Sequence, residues 1–134
     1  NINSLIIKTA NKSNTIIFYN KAGNSQILSF KKKGINLIRS KIDNKGRFDI
    51  KIILKKLYKL NCRNLLVEGG DELTNYFLRN KIFNTFYLYK SDKKLSKKTE
   101  YLNFNSLNLL KQKYKNKMNL NLDLGKNKIT LYKI

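Results

Sequence analysis

Short apolar runs alternate with amphipathic segments along most of the chain. Four runs of branched or aromatic residues predict strands, at Thr15–Tyr19, Ile35–Arg39, Leu65–Val67 and Thr85–Tyr89. Between them, helical spacing of apolar residues predicts helices over 25–33, after an N-cap at Asp49, and over 71–80. Alternation around a turn at 125–127 predicts an antiparallel hairpin from Leu120 to Ile134. This order predicts one α/β domain spanning the whole chain, with a mostly parallel sheet and an antiparallel edge.

The turn between the third strand and the third helix is the candidate site. Glu68, Gly69 and Gly70 follow the strand, and Asp71 opens the helix. Paired glycines let a backbone approach a ligand closely, and the free N–H groups of a helix start offer partners to a phosphate. The pattern therefore predicts an anion-binding turn. The alternative is a tight turn with no ligand.

Composition narrows the classes of function. The 134 residues include 29 Lys and Arg against 8 Asp and Glu, a formal charge of +21. This charge fits a solvated lysine surface, or attraction to anionic ligands such as phosphorylated metabolites and nucleic acids. With no histidine and one cysteine, the usual zinc ligands are absent, and histidine-based catalysis is excluded within this chain. We therefore expect no metal site and, if the chain is an enzyme, a cofactor that carries the chemistry.

One family resemblance follows from the sequence Leu66-Val67-Glu68-Gly69-Gly70, with Leu73 after it, a capped helix before it and an aromatic strand beyond it. It resembles the reductase domain of the bifunctional riboflavin-biosynthesis deaminase–reductases. The resemblance implies a dihydrofolate-reductase-like fold with helices on both faces of the sheet. The chain departs from the family pattern in two elements. The acidic pair of the next strand is missing, and Asp92 and Ser96 replace a loop proline and glycine.

The resemblance implies NADPH-dependent reduction of a phosphorylated pyrimidine, 5-amino-6-(5-phosphoribosylamino)uracil, to its ribitylamino form. Gly69 and Gly70 match positions that approach the cofactor phosphates. Glu68 matches an acid at the substrate end and is the candidate catalytic residue, although a carboxylate stabilised by the helix dipole is the alternative. Separately, strand-end geometry makes Asn20 and Lys21 candidate contacts for a 2′-phosphate or adenine, with a plain surface loop as the alternative.

Nothing before Thr15 matches the family's substrate-pocket segment. We therefore expect the chain to be the C-terminal part of a reductase domain, without the start of that domain and without the deaminase domain. We also expect a homodimer. No apolar run approaches a membrane span of about 18 residues, and a single cysteine permits no internal disulfide, so we expect a cytoplasmic protein without membrane attachment.

Two other functions remain open. A nucleic-acid-binding module would account for the charge and the eight tyrosines. Against it, no known motif appears and the aromatics lie in apolar runs, with Tyr87 and Tyr89 expected on opposite faces of one strand. A non-catalytic dimerising fragment would keep an assembly surface while lacking the pocket.

Overall fold

The computed structural model describes residues 3–10, 15–93, 105–122 and 125–134. The chain divides into two compact units, Asn1–Leu65 and Leu66–Ile134. Each unit has its own sheet and its own apolar core. The expectation of a single domain stays a prediction. None of the described helices is long and apolar enough to cross a membrane.

The first unit is built on two parallel strands. Its elements are α1 (Leu5–Lys8), β1 (Ile16–Tyr19), α2 (Asn24–Lys32), β2 (Asn36–Arg39) and α3 (Ile50–Lys59). β1 and β2 pair in parallel along their whole length, with Tyr19 opposite Arg39 at the end. Gly34 follows α2 with φ 76°, the left-handed conformation that ends many helices. The buried core consists of Ile7, Ala10 and Ile35, packed by Ile17, Phe30 and Leu37.

α3 begins at the predicted N-cap. The Asp49 carboxylate accepts hydrogen bonds from the N–H groups of Lys51 at 2.9 Å and Ile52 at 3.3 Å. These bonds satisfy two of the donors that a helix start leaves free. Further along α3, Lys56 donates from Nζ to the carbonyl oxygen of Arg39 at 2.5 Å. This bond ties the helix to the end of β2.

The second unit packs two helices on an antiparallel sheet. Its elements are α4 (Asp71–Asn80), β3 (Thr85–Lys90), α5 (Ser106–Lys113), β4 (Lys117–Leu120) and β5 (Lys128–Lys133), with strand order β3-β5-β4. The buried core contains Leu78, Leu110, Tyr114 and Tyr132. The Tyr114 hydroxyl donates to the carbonyl oxygen of Leu78 at 2.5 Å, which joins the end of α5 to α4. Burial raises the pKa of Tyr114 above its usual value.

The C-terminal hairpin is confirmed, with one change in its bounds. β4 and β5 pair antiparallel, and Leu120 lies opposite Ile129. β4 ends at Leu120, so Leu122 follows the strand and is exposed, and Leu124 lies outside the described residues. Gly125 lies in the turn at the predicted position and has φ 63°, a left-handed conformation that favours glycine.

Two predictions about the sheet are wrong. Residues 62–70 form no helix or strand, and Leu65, Leu66 and Val67 are 48%, 79% and 38% exposed. No described strand pairs with this segment, and a strand forms only where a neighbouring strand completes its backbone hydrogen bonds. Among the described strands, parallel pairing is limited to β1 and β2, while the other three are antiparallel. The expected mostly parallel sheet is therefore not observed.

Two tyrosines stand on the same face of the antiparallel sheet. Tyr87 and Tyr89 are 48% and 69% exposed. Their expected placement on opposite faces is wrong, because side chains two residues apart on a strand point the same way. Opposite them on β5 lie Leu131 and Ile129, which are buried. This face is therefore apolar along its central strand and aromatic along one edge.

Candidate functional site

The predicted turn Glu68–Gly70 leads directly into α4. Gly70 is the N-cap of that helix, with φ −71° and ψ −179°. Neither Gly69 nor Gly70 has the positive φ that would by itself demand glycine. Any requirement for glycine here must therefore come from space around the backbone.

The two glycines differ in the space beside them. A Cβ at Gly69 would lie 2.7 Å from Cδ2 and 3.2 Å from Cβ of Leu73, so the first turn of α4 fills that side. A Cβ at Gly70 would meet no atom within 4 Å. A side chain at Gly69 would press on Leu73, whereas Gly70 has open space next to its backbone among the described residues. Only Gly70 therefore keeps room for a ligand.

The start of α4 has no side-chain cap in the described part of the chain. A helix start carries several N–H groups without intrahelical partners and the positive end of the helix dipole. At α4 these groups lie next to the open backbone of Gly70. This arrangement suits an anionic group such as a phosphate.

Glu68 is exposed and lies one residue before the glycines. Among the described residues it makes no hydrogen bond or ion pair, and it does not cap α4. Its carboxylate is therefore available to a ligand. Both of its expected roles, as a catalytic group and as a carboxylate stabilised by the helix dipole, stay predictions.

Asp71, the first residue of α4, binds the start of α5. Its Oδ1 accepts from the N–H of Ser106 at 2.9 Å and from the Ser106 hydroxyl at 2.5 Å, and its Oδ2 accepts from the N–H of Asn105 at 3.3 Å. The Ser106 hydroxyl and then the Ser106 N–H lower the pKa of Asp71 below its ordinary value of 3.8. Desolvation opposes them, and the Asn105 N–H adds the smallest lowering effect. Sequence analysis missed this contact because the partners are 35 residues apart.

Asn20 and Lys21 belong to the first unit, just beyond β1. The Asn20 side-chain amide donates to the carbonyl oxygen of Ser40 at 3.0 Å, and its backbone carbonyl accepts from Nε of Arg39 at 3.2 Å. Asn20 therefore links the carboxyl ends of the two parallel strands, and its amide nitrogen is already engaged. Lys21 is exposed and borders a cavity of about 160 Å³ with apolar walls that include Ile17. Arg39, the last residue of β2, is a second cation at this edge. Sequence analysis did not single out Arg39 as a site residue.

A larger cavity, of about 290 Å³, contains none of the predicted site residues. It is lined by Tyr89, Lys90, Ser91, Asn127 and Lys128. Lys90 and Lys128 lie directly opposite each other in the sheet, where like charges repel. Because no buried polar group lines it, we assign this cavity no ligand.

Comparison with known proteins identifies the family. The family model of the RibD C-terminal domain matches residues 2–99, which include Asn20, Lys21 and the turn Glu68–Gly70. The match ends before α5, β4 and β5. Curated proteins give no match. Because the family match covers more than half of the chain, this chain belongs to the RibD C-terminal domain family, the reductase domain of riboflavin-biosynthesis deaminase–reductases.

Proposed function

We propose that the protein reduces 5-amino-6-(5-phosphoribosylamino)uracil with NADPH, using the turn Glu68–Gly70 and a dihydrofolate-reductase-like fold. One observation carries the cofactor site. Within the family match, an open glycine backbone adjoins an uncapped helix start. The residues present fit a dinucleotide phosphate, because no described atom beyond Gly70's own chain neighbours lies within 4 Å of its Cβ position.

Different residues of the chain would contact different parts of the ligands. In the second unit, the backbone at Gly70 and the first N–H groups of α4 would bind a cofactor phosphate. In the first unit, considered by itself, Lys21 is an exposed cation that could contact a 2′-phosphate or adenine. Asn20 would act through the strand-end link that positions this edge, because its amide already bonds Ser40. When bound, NADPH would supply the hydride that reduces C1′ of the opened sugar.

Glu68 would act on the substrate rather than on the cofactor. A carboxylate that has no partner among the described residues can hydrogen-bond a substrate amine or hold a proton near the reacting carbon. The negative phosphate of the substrate is complementary to the positive protein, because a net charge of +21 attracts anionic ligands over a distance of about 10 Å at moderate salt. Binding and orientation by the protein then bring the substrate to the cofactor.

A turnover assay tests this function. The full-length protein that contains this chain is mixed with NADPH and the phosphoribosylamino-pyrimidine, and loss of NADPH absorbance is followed with product identified by mass. We expect stoichiometric formation of the ribitylamino product. The matching reaction with NADH measures the cofactor preference. Binding of NADPH without turnover would support a non-catalytic domain, and absence of both would refute the proposal.

A nucleic-acid-binding function is the competing candidate. The specific observation in its favour is the pair of exposed tyrosines, Tyr87 and Tyr89, on a sheet face of a strongly basic chain, since aromatic side chains on sheets stack on bases. The same preparation is titrated with a single-stranded oligonucleotide at several salt concentrations. Tight binding that is weakened by Tyr89→Ala and unaffected by NADPH would favour this function over the reductase.

A further inference from the structure

We propose that Asp71 is a positioning residue for the phosphate-binding turn, which it fixes by tying the first turn of α4 to the start of α5 through Ser106. The inference rests on the proposed function, because it concerns how the same turn is held. It adds a residue outside the Glu68–Gly70 motif and a partner helix that lies beyond the residues matched by the family.

The first step is a difference between the two helices of the second unit: a described side chain binds the first N–H groups of α5 but not those of α4. No side chain in the described segments caps α4, although its first turn contains two acids, Asp71 and Glu72. The start of α5 receives the Asp71 carboxylate instead, through the N–H groups of Asn105 and Ser106. The first N–H groups of α4 are therefore not engaged by a described side chain, while two N–H groups at the start of α5 donate to Asp71.

The second step concerns rigidity. Asp71 directly follows Gly70, so a restraint on Asp71 restrains the backbone of the glycine. The restraint reaches a buried anchor, because Ser106 is only 1% exposed and its hydroxyl also lies 3.1 Å from the carbonyl oxygen of Asp71. Main chain and side chain of Asp71 are thus both held by one residue. A turn held in this way loses less conformational freedom when a ligand binds.

The third step concerns charge. A free carboxylate next to a phosphate would weaken binding by repulsion. Both oxygens of Asp71 accept hydrogen bonds from the positive end of α5, where a negative charge is favourable. The charge is therefore balanced inside the protein, and an acid at this position is compatible with an anionic ligand.

Matched variants separate positioning from charge. Asp71→Ala removes the link, Asp71→Asn removes the charge but keeps an oxygen that can accept from Ser106, and Glu72→Gln removes a charge from the same first turn. NADPH dissociation constants are measured for each by fluorescence titration. We expect Asp71→Ala to weaken binding at least tenfold, whereas Asp71→Asn and Glu72→Gln change it less than threefold. Ser106→Ala should weaken binding by an intermediate factor, and should add little in the Asp71→Ala background.

A second measurement needs no cofactor. The N–H of Thr74 donates to the carbonyl oxygen of Gly70 at 3.1 Å and is the first intrahelical bond of α4. Its hydrogen exchange should accelerate at least tenfold in Asp71→Ala and stay within threefold of wild type in Glu72→Gln, with melting curves as a check on folding. If Asp71→Ala does not fold, Ser106→Ala takes its place in both measurements.

The outcomes distinguish this inference from the proposed function. Wild-type protein that binds no NADPH refutes the proposed cofactor site, and the Thr74 exchange rates then decide whether Asp71 fixes the turn. Wild-type binding with unchanged affinity in a folded Asp71→Ala variant refutes the positioning role alone. Tighter binding in both Asp71→Asn and Glu72→Gln would show that Asp71 acts as an unbalanced charge, which also overturns the inference.

Discussion

Replacement of Gly70 by valine is the sharpest test of the cofactor site. The backbone at Gly70 has an ordinary φ of −71°, and a Cβ would meet no atom within 4 Å, so the side chain enters open space rather than the core. The three added carbons would occupy the space through which a phosphate reaches the N–H groups of α4. The variant should therefore fold and lose affinity for NADPH.

The size of the loss follows from the bond at stake. A hydrogen bond to a charged group contributes about 1.5–3 kcal/mol. Loss of one such bond raises the dissociation constant about tenfold to a hundredfold, since each 1.4 kcal/mol is a factor of ten. The assay is a fluorescence titration of NADPH with urea unfolding in parallel. Unchanged affinity in a folded Gly70→Val protein would remove this turn as the phosphate site.

Two control variants separate affinity from stability. Gly23 is also an open N-cap glycine, with φ −69° and no atom near its Cβ position, so Gly23→Val measures the stability cost of the same change at another helix. Gly70→Ser introduces another residue that is favourable at an N-cap, so it should change the free energy of unfolding by only a few tenths of a kcal/mol. Its shorter side chain should weaken NADPH binding less than valine does.

Three further predictions concern the neighbours of Gly70. Glu68→Gln in the full-length protein should lower kcat about tenfold or more, while the dissociation constant of NADPH changes less than threefold. Steady-state kinetics and a binding titration measure the two quantities. A loss of NADPH affinity with kcat unchanged would contradict this prediction. Gly69→Ala should cost about 1–3 kcal/mol in urea unfolding, because its Cβ would press on Leu73, and the cost should shrink in a Leu73→Ala background. Because the pKa of Asp71 is lowered on folding, its contribution to stability is complete above pH 3.8 and is lost as pH falls through the folded value. Urea midpoints from about pH 5 to about pH 2 should therefore fall more steeply in wild type than in Asp71→Asn, and parallel curves would contradict this assignment.

Local signals in the sequence predicted much of the first unit. Asp49 stands where a cap belongs, and the carboxylate indeed caps α3. Gly34 marks the end of α2, and two short branched runs form the parallel pair. The cap, the helix end and the position of each strand depend on residues within a few positions of one another, so composition and spacing suffice to predict them. The pairing of the two strands joins residues that are far apart in the chain, such as Ile16 and Asn36.

Features that depend on distant partners were not predictable. Leu65–Val67 has a strand-like composition, yet a strand also needs a neighbour to pair with, and none of the described strands supplies one. The difference between Gly69 and Gly70 depends on where Leu73 lies in three dimensions. The bond from Asp71 to Ser106 spans 35 residues and has no local signal. The sequence therefore located the turn but not what holds it.

The bond between Asp71 and Ser106 has a consequence for the order of folding. α4 can form from local contacts, but its link to α5 requires closure of a loop that contains β3 and the segment after it. We therefore expect the turn Glu68–Gly70 to reach its final conformation late, after the helices and the hairpin have formed. In stopped-flow measurements, Asp71→Ala should speed unfolding and leave the folding rate nearly unchanged, as for a contact absent from the transition state. An equal slowing of folding would place this link in the folding nucleus instead.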